Sequence, residues 1–89
     1  MTKIYIYCLF DTTKSKAFRG VYSSIQAVHR DALKLANRGD SRVHMFCESQ
    51  EIEPSLSSLR NTFKGRHDVT VTYRTNRSMV TVLKTKIKE

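Results

Sequence analysis

The sequence predicts an α+β fold, a mainly antiparallel sheet with two helices on one face, in the order ββαβαββ. Three observations lead there. Apolar side chains alternate in "KIYIYCLFD", "RVHMFCES", "DVTVTYR" and "SMVTVLKTKIK", which is the period of a strand. Two further stretches, at about 24–38 and 54–64, carry apolar residues at helical spacing. Short polar turns join several of the strand runs, which favours hairpins and antiparallel pairing.

The first strand has Ile4, Ile6, Cys8 and Phe10 on one parity and Tyr5, Tyr7 and Leu9 on the other. Both faces are apolar or aromatic, as in a strand inside a sheet. "TTKSK" turns the chain into a short second strand, "AFRGVYSS", with Phe18 and Tyr22 near its ends. Ser23 or Ser24 can N-cap the next element, because a serine oxygen accepts from the free N–H groups of a helix start. Ile25, Val28, Ala32, Leu35 and Ala36 then form one apolar stripe, and Gly39 follows the last turn, where a left-handed conformation is usual. "RVHMFCES" is the third strand, and the acidic "ESQEIEP" is expected to break it. Pro54 suits the first turn of a second helix, with Leu56, Leu59 and Phe63 on its apolar face and Gly65 at its end. "DVTVTYR", the turn "TNR" and "SMVTVLKTKIK" make a closing hairpin.

A chain of 89 residues is expected to form one domain over 1–89, with a modest core. It has no apolar run long enough for a membrane span. Its opening "MTKIYIYCLFD" lacks the pattern of a secretion signal, so a cytoplasmic location is expected. Cys8 and Cys47 stand far apart and read as free thiols, although neighbouring strands would allow a disulfide. The net charge is +8 and the isoelectric point about 9.9. The excess is uneven: residues 54–89 hold eight bases against two acids, whereas residues 1–53 hold eight against six. Such a balance points to an anionic partner, nucleic acid foremost, then an acidic protein face or a lipid surface.

No catalytic signature is present: neither a nucleophile elbow nor a Walker loop, and no Cys/His nucleophile pair. His29, His44 and His67 have no partner at ligand spacing, so no zinc or other cofactor is expected. The basic residues supply the candidate site. Arg30, Lys34 and Arg38 form a ridge opposite the apolar stripe of the first helix, and Arg60, Lys64 and Arg66 repeat the pattern on the second. Either set can neutralise phosphates; either can also be an ordinary solvated face, or complement a helix dipole. Lys84, Lys86 and Lys88 share one face of the last strand, where they would bind an anion or guard a sheet edge. Arg74 and Arg77 flank the last turn, which needs no positive charge of its own. Tyr5, Tyr7, Tyr22, Phe18, Phe46 and Tyr73 could offer rings on which bases stack or could be core, with Tyr5 and Tyr7 foremost because they lie opposite the Ile4–Ile6–Cys8 face. An exposed last strand would also allow a homodimer across a two-fold axis.

Residues 4–36, "IYIYCLFDTTKSKAFRGVYSSIQAVHRDALKLA", resemble a pattern common in small accessory proteins of T4-like phages. There a strand, a polar turn and "GVYSS" lead into a helix, with Gly20 relaxing the backbone and Ser23–Ser24 capping. The resemblance implies a non-catalytic protein, made early in infection, that binds and redirects a host enzyme or blunts a host defence in the host cytoplasm. The RNA-binding phage inhibitors of the ToxN endoribonuclease are the members that suit this charge. The stretch "VTYRTNRSMVTVLKTKIK" looks like the last strands of RelE-like ribonuclease toxins, which cleave RNA without a metal. Those proteins place two helices after the first strand, whereas here a hairpin comes first and a strand separates the helices. The expected partners are therefore RNA and a host protein. The alternatives are a protein-only inhibitor that docks on an acidic host enzyme, and a metal-free ribonuclease.

Overall fold

Eight elements follow one another in the computed structural model, which describes residues 5–37 and 42–87. They are β1 (Tyr5–Asp11), β2 (Ala17–Tyr22), α1 (Ile25–Ala36), β3 (His44–Cys47), β4 (Gln50–Ile52), α2 (Leu56–Phe63), β5 (Val69–Arg74) and β6 (Met79–Lys86). The strands form one antiparallel sheet in the order β2-β1-β6-β5-β3-β4. The expected α+β class and element order are present, with one short strand added. That strand is β4, which lies within the acidic stretch expected to break the sheet. Glu48 and Ser49 adopt φ of 51° and 71°, the two positive values that a type I′ hairpin turn requires. The turn folds Gln50 back opposite Cys47.

Alternation decides what each face carries. Leu9, Val82, Val71 and Cys47 form one cross-strand row, and Val80, Tyr73, Met45 and Ile52 form the next. Against these rows pack Val28, Ala32 and Ala36 of α1 and Leu59 and Phe63 of α2, and together they are the buried core. Each large side chain fully withdrawn from water there contributes about 1.5–3 kcal/mol. Both helices lie on this face. The opposite face carries the other parity and is covered by neither helix.

Each helix is capped by a serine. Ser24 Oγ accepts from Ala27 N at 3.3 Å, and Ser55 Oγ accepts from Ser58 N at 3.1 Å. Pro54 therefore stands before the α2 cap rather than inside the first turn as expected. Gly65 follows α2 with φ +69°. The stop signal expected at Gly39 lies outside the described residues. A buried hydrogen bond of 2.6 Å joins His29 Nδ1 on α1 to the Tyr73 hydroxyl on β5. Burial holds the imidazole below its ordinary pKa and pushes the phenol well above its own. Every buried side-chain nitrogen and oxygen among the described residues has a partner. Cys8 and Cys47 are free thiols, on opposite faces and separated by β6 and β5.

The topology corrects one expectation about assembly. The last strand is central, with β1 on one side and β5 on the other. Both of its edges are already bonded, so it has none to offer a second copy.

Candidate nucleic-acid interface

The basic residues singled out in the sequence separate onto different surfaces. Arg30 and Lys34 are exposed on α1, Arg60 on α2 and Lys64 at its C-cap, all on the helix side of the sheet. Arg30 Nε lies 3.5 Å from Asp31. The Asp31 carboxylate also accepts from the Tyr22 hydroxyl at 2.7 Å, and that hydrogen bond, more than Arg30, holds it below the usual carboxylate range. Arg66 donates to Glu48 at 2.6 Å and reaches the Cys47 sulfur at 3.9 Å. Both arginines thus have acidic neighbours that offset their charge. Arg38 and Lys88 lie outside the described residues.

Lys84 is a correction. It is 7 % exposed, because it shares the parity of Val80 and Val82 and so points under the helices. Its ammonium donates to the carbonyl of Phe63 at the end of α2 and sits 4.5 Å from the centre of the Tyr5 ring. Burial lowers its pKa. It is a structural cation that caps a helix C-terminus, and it cannot reach a ligand. Lys86, one turn of the alternation further on, is exposed.

Tyr5 and Tyr7 are a second correction. Both lie on the helix-covered parity. The Tyr7 ring centre lies 5.7 Å from that of Phe63, and the Tyr5 ring centre lies 4.5 Å from the Lys84 ammonium and 6.3 Å from the centre of the His67 ring. Both are half-buried and stand on the helix-covered face, apart from the open face that carries Arg74.

Arg74 stands apart from the helix set. It ends β5 on the uncovered face, opposite His44 on β3 and Met79 on β6. Around it lies a surface concavity of about 550 Å³ lined by Arg42, His44, Phe46, Glu51, Arg74, Thr75 and Asn76. Two guanidinium groups and an aromatic ring thus share one depression. His44 Nδ1 donates to Glu51 at 2.9 Å across the β3–β4 hairpin, so this histidine has the carboxylate partner that spacing along the chain did not reveal. Arg77 is exposed in the adjoining turn. Thr75 shapes that turn: its N–H donates to the Ser78 carbonyl at 2.9 Å, and its Oγ1 accepts from Ser78 N at 2.9 Å and Arg77 N at 3.2 Å. Ser78 Oγ in turn donates to the Ala36 carbonyl, which ties the turn to the end of α1.

Of the residues expected at the site, the structure brings Arg74 and Arg77 together. Phe46, one of the aromatics expected as a possible stacking ring, lines the concavity, which also holds Arg42, His44 and Asn76, not selected from the sequence as site residues. The alternation did place His44 and Phe46 on one parity. What makes them neighbours of Arg74 is the pairing of β3 with β5, a contact between strands far apart in sequence.

No group of three or more His, Cys, Asp or Glu side chains that could hold a metal occurs among the described residues. No helix among them is long and apolar enough to cross a membrane. The chain matches no protein-family model, no curated protein and no solved structure.

Proposed function

We propose that this is a small accessory protein, of the kind encoded by T4-like phages, that binds RNA without cleaving it and thereby inhibits or redirects a host enzyme or toxin system in the host cytoplasm. The observation that carries the reading is the convergence of Arg42 and Arg74 beside Phe46 in an open concavity. Guanidinium groups pair with phosphates in fixed geometry. An adjacent ring accepts a base, and among the described residues neither arginine has an ion-pair partner. The excess charge of the chain supplies long-range attraction.

The test is an RNA titration at several salt concentrations. Affinity should fall steeply as salt rises, because each neutralised phosphate releases a counterion. Arg74→Glu together with Arg77→Glu should weaken binding by about tenfold or more and leave the melting temperature unchanged. No measurable affinity at low salt would end the proposal.

A second reading has its own observation. His44, Glu51, Arg42 and Arg74 in one concavity are the residue types of a metal-free ribonuclease: a base, an acid and cations for the phosphate in transit. Incubation with RNA in EDTA decides between the two. Fragments that vanish with His44→Ala would favour cleavage, and intact RNA favours binding alone.

A further inference from the structure

The uncovered sheet face carries one straight row of cross-strand partners spanning five strands. Phe46 stands opposite Thr72, Thr72 opposite Thr81, Thr81 opposite Phe10, and Phe10 opposite Phe18. Aromatic rings occupy both ends, and two threonines lie between them. An irregularity in β2 completes the row. Leu9 faces Gly20 while Phe10 faces Phe18, so Arg19 is the extra residue of a bulge. Strand alternation alone would turn Phe18 and Val21, three residues apart, to opposite faces. The bulge brings both to the uncovered face, where Phe18 is 59 % exposed and its ring stands 5.7 Å from that of Phe10.

A line of cations runs beside this row. The β1–β2 turn, the β5–β6 turn and the start of β3 all lie at one end of the sheet. Asp11 is opposite Val80, Thr12 N donates to the Met79 carbonyl at 2.8 Å, and His44 is opposite Arg74. Lys14, Lys16, Arg77, Arg74 and Arg42 therefore share that end. The Lys16 ammonium lies 4.6 Å from the centre of the Phe10 ring, which puts it on the uncovered face. Of the described acids at this end, Glu51 accepts from His44, Asp11, mostly buried, lies 3.7 Å from Arg19, and Glu53 is exposed just past the edge strand β4.

We infer that this face is a platform for single-stranded RNA, with bases on the Phe46–Thr72–Thr81–Phe10–Phe18 row and phosphates along the line from Arg42 to Lys16. The inference rests on the proposed RNA binding and names the form of RNA and the surface. Four strand spacings separate Phe46 from Phe18, about 19 Å, room for the two or three bases that such sheet platforms stack. Every base has a π-face, so rings hold a strand with little regard to sequence. A duplex keeps those faces inside its own stack and cannot use them. The threonine hydroxyls between the rings can donate or accept at base edges and 2′-hydroxyls.

Fluorescence anisotropy with a labelled oligouridine and a blunt RNA duplex of equal length tests this. Oligouridine should bind about tenfold tighter than the duplex. Phe18→Ala and Phe46→Ala should each weaken oligouridine binding about fivefold or more and leave duplex binding unmoved. Phe46→Leu, which keeps apolar volume but loses the ring, should behave like Phe46→Ala and guards against a folding defect. Arg30→Glu with Lys34→Glu, on the helix side, should change either affinity less than threefold or so. Equal binding of both RNAs, insensitive to Phe18 and Phe46, would overturn the platform while leaving RNA binding intact, and would leave the exposed rings to a protein partner. Binding of neither RNA at low salt would overturn the RNA reading itself.

Discussion

Replacing Lys84 by methionine tests whether this lysine is structural, in contrast to the lysines proposed to contact RNA. The substitution keeps most of the stem's volume and removes the ammonium. Two interactions go with it. A hydrogen bond from a charged donor contributes about 1.5–3 kcal/mol, and the contact over the Tyr5 ring adds about 0.5–1 kcal/mol. Two effects oppose the loss. The buried ammonium is penalised by desolvation, as its lowered pKa shows. The Phe63 carbonyl also keeps a second donor, Arg66 N at 3.1 Å, and so is not orphaned. The balance is a loss of about 1–2 kcal/mol, with each kcal/mol worth roughly 4–8 °C in a domain of this size. Thermal unfolding by circular dichroism measures it, with Lys86→Met, at an exposed site, expected within about 0.5 kcal/mol of the parent. RNA affinity, measured where all variants are folded, should not change with Lys84→Met. A variant that melts with the parent yet loses RNA affinity would refute the assignment of Lys84 to the core.

The other predictions concern the buried pair and one turn. Tyr73→Phe leaves His29 Nδ1 without its partner and should cost about 1–3 kcal/mol, read as a drop in the denaturation midpoint. Because burial lowers the His29 pKa, the unfolded chain takes up a proton first as pH falls below the ordinary value of 6.5. Stability should therefore decline from neutral pH toward about pH 5.5, with the full contribution present above the unfolded value. An NMR titration in which the His29 ring protonates at or above the ordinary value would contradict this. Gly65→Ala places a side chain at φ +69° in open space, so only backbone strain is felt, about 1–2 kcal/mol; an unchanged melting temperature would exclude that strain.

Much of this architecture is legible in the residues themselves, and what was missed has identifiable causes. The strand periods, the α1 stripe and the serine caps read directly because each depends on neighbours in sequence. The burial of Lys84 was legible too: it shares the parity of Val80 and Val82, and a lysine on an apolar parity needs an internal partner. The β4 hairpin was hidden because Glu48–Ser49 lacks the Asn-Gly pattern that normally marks left-handed turn pairs. The central place of β6 and the approach of Arg42 to Arg74 depend on pairings between distant strands, which alternation does not specify. The β2 bulge, in which Arg19 has no partner across the strand, is invisible in the pattern "AFRGVY" yet decides which way Phe18 points.

The proposed RNA binding and the platform together place RNA on the uncovered sheet face and not on the helix ridge. Backbone chemical-shift mapping with oligouridine tests it most directly. The largest shifts should fall at Phe46, Thr72, Arg74, Thr81 and Phe18, with Arg30, Lys34, Arg60 and Lys64 unmoved. Shifts concentrated on α1 and α2, with the Phe46–Phe18 row silent, would contradict it.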